Sequence, residues 1–288
     1  MPAGSHPHDV APAADGGIWF TAQAAGYLGW LDPSTGEIRQ IALGAHSAPH
    51  GVIVGPDGAA WVTDGGQNAI VRVDPQTSEV RVFPIGGRNA NLNTATFDGT
   101  GSLWFTGQNG VYGRLDPRTG EVGVFDAPRG PGPYGIIGAA DGARVFYVSL
   151  AGSHIAEINL ETALATPIDP PTQAQGARRV WADSHGSIWV SEWNAGQVGR
   201  YDPRTGEWRE WKLPGTRPTA YAVWVDPQDI VWLSDWSSNA IVSFDPASET
   251  FQQFALPQNG SEVRELQGRA GEVWGAESAQ DRIVVIRH

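Results

Sequence analysis

The chain of 288 residues is acidic, with 19 Lys and Arg against 31 Asp and Glu and a formal net charge of -12. This balance argues against nucleic-acid binding, which depends on clustered cationic side chains. The absence of Cys excludes thiol catalysis and disulfides and leaves the localisation open, cytoplasmic or exported. The 37 Gly and 21 Pro favour an all-β chain with many tight turns. No apolar run approaches the ~20 residues that span a bilayer, so we expect no membrane insertion.

A motif centred on an aromatic residue repeats along the chain at intervals of 42 or 43 residues. Its copies lie at Trp19, Trp61, Trp104, Tyr147, Trp189, Trp232 and Trp274. A turn similar to D-P-x-T-G-E follows the first six copies, at Asp32, Asp74, Asp116, Asn159, Asp202 and Asp245. Repeats of this length with about four short strands are typical of propeller blades. The sequence therefore predicts a seven-bladed β-propeller that forms one domain over residues 1–288.

Blade 2 shows the predicted order of elements within one repeat. Residues 51–54 form the innermost strand, and the G-P-D-G turn at 55–58 leads to the second strand, which carries Trp61. A third strand and the D-P turn follow, and then an outer strand at 80–83. The chain ends where the seventh D-P turn would begin. We therefore expect a last blade that is incomplete or closed by the N-terminus.

Two positions in each blade share the upper face of the predicted ring. Innermost strands begin there with His8 and Asp9, His50, Asn93, Tyr134, Arg178 and Arg179, Tyr221, and Val263 or Arg264. Second strands end there with Gln23, Asp64, Gln108 and Asn109, Leu150, Glu192 to Asn194, Asp235 and Trp236, and Glu277. These residues differ from blade to blade, whereas the tryptophans and D-P turns repeat. Such divergence predicts a small-molecule site in the channel mouth.

Several of these residues suggest a specific chemistry, each beside a structural alternative. His8 and His50 could transfer a proton or bind a ligand, or they could cap a repeat. Arg178 and Arg179 could grip an anion or could pair with Glu192. We assign substrate contacts to His50, Asn93, Tyr134, Arg178, Arg179, Trp193, Asn194 and Trp236.

Acidic and aromatic residues end the second strands of three consecutive blades. Glu192, Asp235 and Glu277 would repel one another unless a cation or arginines neutralised them, which favours Mg²⁺ or Ca²⁺. The alternative is three separate acids that are solvated or paired with arginine. Trp193 and Trp236 could form a platform for a planar ligand or could pack between blades. No motif for an organic cofactor is present.

The repeat motifs resemble those of a known family. Residues 49–75 read P-H-G-V, G-P-D-G, W-V-T-D and N-A-I-V-R-V-D-P, a copy covers 187–203, and residues 272–283 read E-V-W-G-A-E-S-A-Q-D-R-I. They resemble the streptogramin B lyases, also called virginiamycin B lyases, over nearly the whole chain. The resemblance implies a seven-bladed propeller that opens a cyclic depsipeptide by Mg²⁺-assisted elimination, with a histidine as base.

The sequence departs from the family pattern at the implied base. The resemblance places Glu277 and Glu262 at the family's two glutamates. The histidine of the sixth blade is replaced by Thr219, with Tyr221 in register, and that of the seventh blade by Arg264. An arginine stays protonated near neutral pH and cannot act as a base.

Three functions remain open from the sequence. The favoured one is a monomeric lyase-like enzyme that opens a cyclic ester, with Tyr221 or His8 as base and Arg264 as clamp for an oxyanion or carboxylate. In this hypothesis a cation lies near Glu262 and Glu277, with Glu192 and Asp235 as further candidate ligands. The alternatives are a non-catalytic ligand-binding or sensor propeller and a lactonase-type metal hydrolase.

Overall fold

The computed structural model describes all 288 residues and consists of antiparallel strands with one short 3-10 helix. The strands of blades 1 to 4 are β1 Pro7–Pro12, β2 Ile18–Ala22, β3 Tyr27–Leu31, β4 Ile38–Ala42, β5 Pro49–Val54, β6 Ala60–Asp64, β7 Ala69–Val73, β8 Val80–Pro84, β9 Leu92–Phe97, β10 Leu103–Gly107, β11 Val111–Leu115, β12 Val122–Asp126, β13 Pro133–Gly138, β14 Val145–Ser149, β15 His154–Ile158 and β16 Ala165–Ile168. The strands of blades 5 to 7 are β17 Ala177–Ala182, β18 Ile188–Glu192, β19 Gln197–Asp202, β20 Glu207–Lys212, β21 Ala220–Val225, β22 Val231–Asp235, β23 Ala240–Asp245, β24 Thr250–Ala255, β25 Val263–Arg269, β26 Glu272–Glu277 and β27 Arg282–Arg287. The 3-10 helix, Ser278–Gln280, lies between β26 and β27. No helix has the length and apolar character needed to cross a membrane.

The sheets confirm the predicted seven-bladed β-propeller. Each of the first six blades is a four-stranded antiparallel sheet whose consecutive strands are neighbours, and blade 7 has three strands. The N-terminal residues add no fourth strand to blade 7. They bind it through Asp281 instead, whose carboxylate accepts hydrogen bonds from the backbone N–H of Gly4 at 2.8 Å and of His6 at 2.7 Å. The last blade is therefore incomplete, as predicted.

The landmark aromatic residues form the core between the blades. Trp19 packs in an apolar cluster with Val52, Val62 and Val71 of the next blade. Several of these indoles also donate a hydrogen bond to the aspartate of the preceding turn, as Trp104 does to Asp98 at 2.8 Å. This contact satisfies a buried N–H that would otherwise cost free energy. One residue thus fills the gap between two sheets and fixes the turn on the lower face.

Hydroxyl groups on the second strands link neighbouring blades near the channel. Ser191 Oγ accepts a hydrogen bond from the N–H of Arg179 in its own blade and donates one at 2.6 Å to the carbonyl of Tyr221 in the next blade. Comparable links to the next blade are made by Thr21, Thr63, Thr106 and Ser234. These bonds fix the backbone that presents side chains to the channel.

Removing one of these hydroxyls is expected to destabilise the ring. The Ser191→Ala variant leaves a buried N–H and a buried carbonyl without their partner, which costs about 1–3 kcal/mol. The control is Ser243→Ala on the half-buried third strand of blade 6, where the change should stay within about 0.5 kcal/mol. Urea unfolding of both variants measures the difference. Equal stabilities would show that the links between blades do not contribute.

Candidate functional site

A β-bulge near the upper end of each innermost strand directs side chains into the channel. In β1 the pairing with β2 is irregular between Pro7 and Val10, and His8 and Asp9 lie in the bulge. The same irregularity occurs in all seven blades. A bulge twists its strand and re-aims the extra residue. Each blade therefore presents two adjacent residues to the channel.

These pairs form two layers. The first members, which we call the mouth layer, are His8, His50, Asn93, Tyr134, Arg178, Tyr221 and Arg264. The second members, which we call the inner layer, are Asp9, Gly51, Thr94, Gly135, Arg179, Ala222 and Glu265. A cavity of about 370 Å³ is lined by five residues of the inner layer and by none of the mouth layer. The inner layer therefore separates the mouth from this cavity.

Arg179 crosses the channel within the inner layer and contacts three other blades. Its Nη2 lies 2.7 Å from Asp9 Oδ1, and its Nη1 lies 2.9 Å from Glu265 Oε2. Nη1 also donates a hydrogen bond to Thr94 Oγ1 at 3.2 Å. A Cβ at Gly51 would fall 3.3 Å from Asp9 Oδ2 and closer still to backbone and side-chain oxygens. The small residue at position 51 of the inner layer therefore leaves room for the ion pairs of Arg179. Neither Arg178 nor Arg179 pairs with Glu192.

The inner layer holds two carboxyl groups around one guanidinium. Burial raises the pKa of Glu265 well above its ordinary value, and the negative charge of Asp9 raises it further. Burial alone would lower the pKa of Arg179, but Asp9 and Glu265 raise it overall. The arginine is therefore charged.

His8 and Asp9 form a dyad that leaves one imidazole nitrogen free. Nδ1 of His8 lies 2.7 Å from Asp9 Oδ1, and this is the one hydrogen bond of the His8 side chain. Because a carboxylate accepts, Nδ1 carries the proton and Nε2 carries a lone pair. Burial lowers the pKa of His8 well below its ordinary value, and the charges of Arg179 and Arg264 lower it further. His8 is thus a neutral, oriented imidazole, as a general base requires.

His50 supports the dyad from the next blade. Its ring packs against that of His8, with 3.8 Å between centroids. Asn93 Nδ2 donates to His50 Nε2 at 3.0 Å, and the amide oxygen of Asn93 accepts from Thr94. Burial lowers the pKa of His50 well below its ordinary value, followed by the effect of His8. His50 is therefore neutral, and its Nε2 is not available to a ligand.

Aromatic rings and two arginines form the other side of the mouth. Tyr221 and Trp236 stack with 4.6 Å between centroids and an angle of 10°. Trp193 stands perpendicular to Trp236 at 5.2 Å. The guanidinium of Arg178 lies 3.7 Å above the Tyr221 centroid, and that of Arg264 lies 5.0 Å from the Trp236 centroid. The two predicted platform tryptophans therefore meet, and cationic groups lie over the aromatic surface.

The two arginines of the mouth are weakly neutralised. Arg178 makes no ion pair, and its polar contact is a 3.4 Å hydrogen bond to the hydroxyl of Tyr134. Arg264 Nη2 donates to Glu262 Oε2 at 2.8 Å, in a pair whose side chains are 27% and 40% exposed. Ion pairs this exposed contribute little. The mouth therefore offers positive charge to an anion, although the chain as a whole is acidic.

The hydroxyl of Tyr221 is already engaged. It lies 2.7 Å from the hydroxyl of Tyr134, and the Tyr221 side chain is fully buried. Burial raises the pKa of Tyr134, and Tyr221 raises it further. A phenol that is bonded to another phenol beneath an arginine is poorly suited to take a proton from a ligand. The geometry favours His8 over Tyr221 as the base.

No three of the four acids expected to bind a cation lie together as a group of metal ligands. Asp235 accepts hydrogen bonds from the backbone N–H groups of Thr219 and Ser237 and so caps its own loop. Glu262 pairs with Arg264, while Glu277 is 3% exposed with its Oε1 unbonded.

Asn194, a predicted substrate contact, is exposed and donates a hydrogen bond to a loop carbonyl.

A different group of three side chains offers metal ligands within 4.8 Å of one another: His8, Asp9 and His50. Asp9 is paired with Arg179, and His50 Nε2 accepts from Asn93. Three arginines of the channel also act on His8 electrostatically. A divalent cation would have to compete with all of these contacts. The donor set fits a base better than a cation.

Glu192 lies away from the mouth and is expected to make stability depend on pH. Its carboxyl sits over Gly199 of the third strand, where a Cβ would collide with it, and accepts a hydrogen bond from Gln197 at 2.6 Å. Burial, followed by the charge of Glu210, raises the pKa of Glu192 to about 8. The folded chain therefore retains a proton that the unfolded chain releases above its ordinary pKa of 4.5. The free energy of unfolding that comes from this retained proton is fully present at acidic pH and is lost as the pH rises towards 8.

The Glu192→Gln variant removes this titration while keeping the shape. Between pH 5 and pH 8 the wild type should lose roughly 4 kcal/mol relative to the variant. Urea unfolding at the two pH values measures this difference. Glu265 is present in both proteins, so its own titration cancels. The control is Glu207→Gln on the exposed outer strand, which should stay within about 0.5 kcal/mol of wild type. A difference that does not change with pH would mean that Glu192 is ionised in the fold.

The sequence pattern predicts only part of the inner layer. It places Asp9 and Arg179 at the upper face and assigns a substrate contact to Arg179, but it gives no site role to Glu265 or Thr94. The signal was present, because His8 with Asp9 and Arg178 with Arg179 are adjacent polar pairs at bulge positions. Applying that pairing to every blade would have placed Glu265 in the channel.

The fold and this site define a seven-bladed β-propeller with a cationic, aromatic channel mouth, which the inner layer separates from the cavity below. The chain belongs to the virginiamycin B lyase family, whose model matches residues 1–204. No curated protein matches the sequence.

Solved structures of this family share the fold. A streptogramin B lyase structure is 23% identical with a TM-score of 0.91, and the match covers 100% of this chain and 96% of that one. Virginiamycin B lyase from Staphylococcus aureus is 20% identical with a TM-score of 0.88, covering 98% and 94%. A catalytically inactive variant of the Staphylococcus aureus enzyme, solved with quinupristin, is 19% identical with a TM-score of 0.91, covering 100% and 97%. At these identities the likeness concerns the fold.

Proposed function

We propose that the protein is a carbon–oxygen lyase that opens an ester of a small molecule by elimination, with His8 as the base. The observation that carries this proposal is the dyad, in which Asp9 holds Nδ1 of His8 at 2.7 Å and leaves Nε2 free. Family membership supports elimination as the class of reaction. No hydroxyl is hydrogen-bonded to His8, and the chain has no Cys, so a covalent nucleophile lacks a partner.

The proposed step moves one proton and breaks one bond. The substrate of this step carries a second carbonyl on the alcohol side of its ester. Nε2 of His8 takes the proton from the carbon that lies between this carbonyl and the carbon bearing the ester oxygen, and the C–H electrons form a carbon–carbon double bond. The neighbouring carbon–oxygen bond breaks, and the carboxylate leaves with its electrons. Negative charge develops on the carbonyl oxygen and on the leaving carboxylate. Arg178 and Arg264 are the groups that would stabilise it.

The aromatic surface would hold the body of the substrate. Trp193 and Trp236 offer flat apolar area beside the two arginines, and Tyr221 supports Trp236 from below. Such a surface suits a substrate with an aromatic or other planar group near its ester. The substrate would bind with this group on the rings and the ester over the dyad.

The proposal gives arginines the role that the family resemblance gives to Mg²⁺. Two guanidinium groups already provide positive charge beside the base. We therefore expect ester opening to continue when divalent cations are chelated.

Mass spectrometry of the products tests the proposal. The probes are quinupristin, which is present in the structure of a relative, simple macrolactones and linear esters, each with and without EDTA. From a cyclic ester, elimination gives an opened product with the mass of the substrate, whereas hydrolysis adds one water. From a linear ester, elimination gives an alkene and an acid, whereas hydrolysis gives an alcohol and an acid. An isomeric opened product in EDTA supports the proposal. A product that has gained water would contradict it, and activity that requires added Mg²⁺ would contradict the role of the arginines.

A non-catalytic ligand-binding protein is the second candidate, and the unpaired Arg178 favours it. A guanidinium stacked on Tyr221 without a carboxylate partner is suited to holding a planar anion. Calorimetry with an unreactive carboxylate analogue, on wild type and Arg178→Ala, measures such binding. Probes that bind and remain chemically unchanged would favour this function. No specific observation favours the metal hydrolase.

A further inference from the structure

The cavity below the inner layer is separate from the mouth. It has a volume of about 370 Å³, within the usual range of ligand sites. It extends down to the turn at Gly55 and Pro56, which faces the lower end of the channel. Its walls are mainly apolar and include Val52, Ile136, Val180 and Val223.

The inner end of the cavity is polar and incompletely satisfied. Arg179 and Glu265 both line it, and they are 2% and 5% exposed. Nε of Arg179 has no hydrogen-bond partner, and neither does Oε2 of Glu265, although Nη1 of Arg179 approaches that oxygen. Buried polar atoms are nearly always paired, so such atoms at the end of a cavity indicate a missing partner.

The charge of this end determines which partner fits. Arg179 already faces the carboxyl groups of both Asp9 and Glu265. An anion would therefore be a buried charge without compensation, which is costly. The Nε–H of Arg179 is a hydrogen-bond donor without a partner. An uncharged oxygen acceptor satisfies this donor without adding charge.

We propose that this cavity is a second small-molecule site, which takes an uncharged molecule with an apolar body and one carbonyl or hydroxyl oxygen at its end. The oxygen lies against Arg179 and Glu265, and the body lies along the apolar walls. The site does not depend on the proposed lyase activity. It shares Asp9 and Arg179 with the layer that supports His8, so the two sites lie back to back.

Calorimetric titration with three probes of one chain length tests the site. The probes are 2-heptanone, 1-heptanol and heptanoate, at a pH where heptanoate is ionised. The ketone and the alcohol should bind, and heptanoate should bind at least about tenfold more weakly. Preferential binding of heptanoate, or no binding of any probe at millimolar concentration, would overturn the proposal.

Two variants locate the binding. Val223→Phe fills the cavity, and Gln267→Trp narrows it from a half-buried position at its lower end. Each should weaken ketone binding by at least about tenfold. If Val223→Phe fails to fold, the Gln267→Trp variant provides the test. The matched control is Trp193→Ala, which alters the mouth and should leave ketone affinity unchanged. Binding that is unaffected by the cavity variants, or that is lost in the control, would contradict the assignment.

Discussion

Replacing His8 with Gln is expected to lower the rate of ester opening by about 10²–10⁴-fold, the usual contribution of a general base. Gln fills a similar volume, but it has no basic nitrogen where Nε2 lies. Because the pKa of His8 is lowered by burial and by three arginines, the wild-type rate should not change with pH around neutrality. The rate should fall only at pH values well below 6.5, where the imidazole becomes protonated. Initial rates of wild type and His8→Gln, measured from pH 5 to pH 9, test the loss of rate and the pH profile.

A second histidine–aspartate pair supplies the control for this experiment. His185 Nδ1 lies 3.2 Å from Asp229, but the His185 side chain is 71% exposed at the lower face. The His185→Gln variant should retain the wild-type rate. A His8→Gln variant with wild-type activity, or an equal loss in both variants, would remove His8 from the mechanism.

Replacing Arg179 with Met is expected to have the largest effect on stability. Arg179 and Asp9 have side chains that are each 3% exposed, and the arginine also faces Glu265. Removing one partner of a buried ion pair leaves an uncompensated charge and costs about 3–5 kcal/mol. Folded domains have only about 5–15 kcal/mol of stability, so this is a large fraction. Urea unfolding at neutral pH measures the loss.

Two further variants separate charge from packing at Arg179. Arg118→Met removes an ion pair with Asp116 in which the arginine is 86% exposed, and it should leave the stability nearly unchanged. Adding Asp9→Asn to Arg179→Met removes the unpaired carboxylate and should restore part of the lost stability. A single variant that loses less than about 1 kcal/mol, or a double variant less stable than the single one, would contradict the role of the inner layer.

The propeller could be predicted from the sequence because its determinants are local and repeat seven times. Each landmark tryptophan fills the same gap between blades, and each D-P turn has the same geometry, so both recur at fixed spacing. The mouth layer followed from this register, since it needed only the position of each strand. The three-stranded last blade was also predictable, because no seventh D-P turn is present.

The chemistry of the site was less predictable because it depends on contacts across the ring. The sequence suggested that Glu192, Asp235 and Glu277 converge, since they occupy equivalent positions. In the structure Asp235 caps its own loop and Glu192 turns towards Gly199. The ion pair of Asp9 with Arg179 joins residues 170 positions apart in the chain. No spacing rule predicts which two blades meet across a channel.

¹⁵N NMR of the histidine side chains tests most directly whether His8 is a neutral base with a free Nε2. Spectra of wild type and His8→Gln assign the His8 signals. We expect a protonated Nδ1 and an unprotonated Nε2 for His8 throughout the neutral range. An imidazolium at neutral pH, or the tautomer with its proton on Nε2, would contradict it.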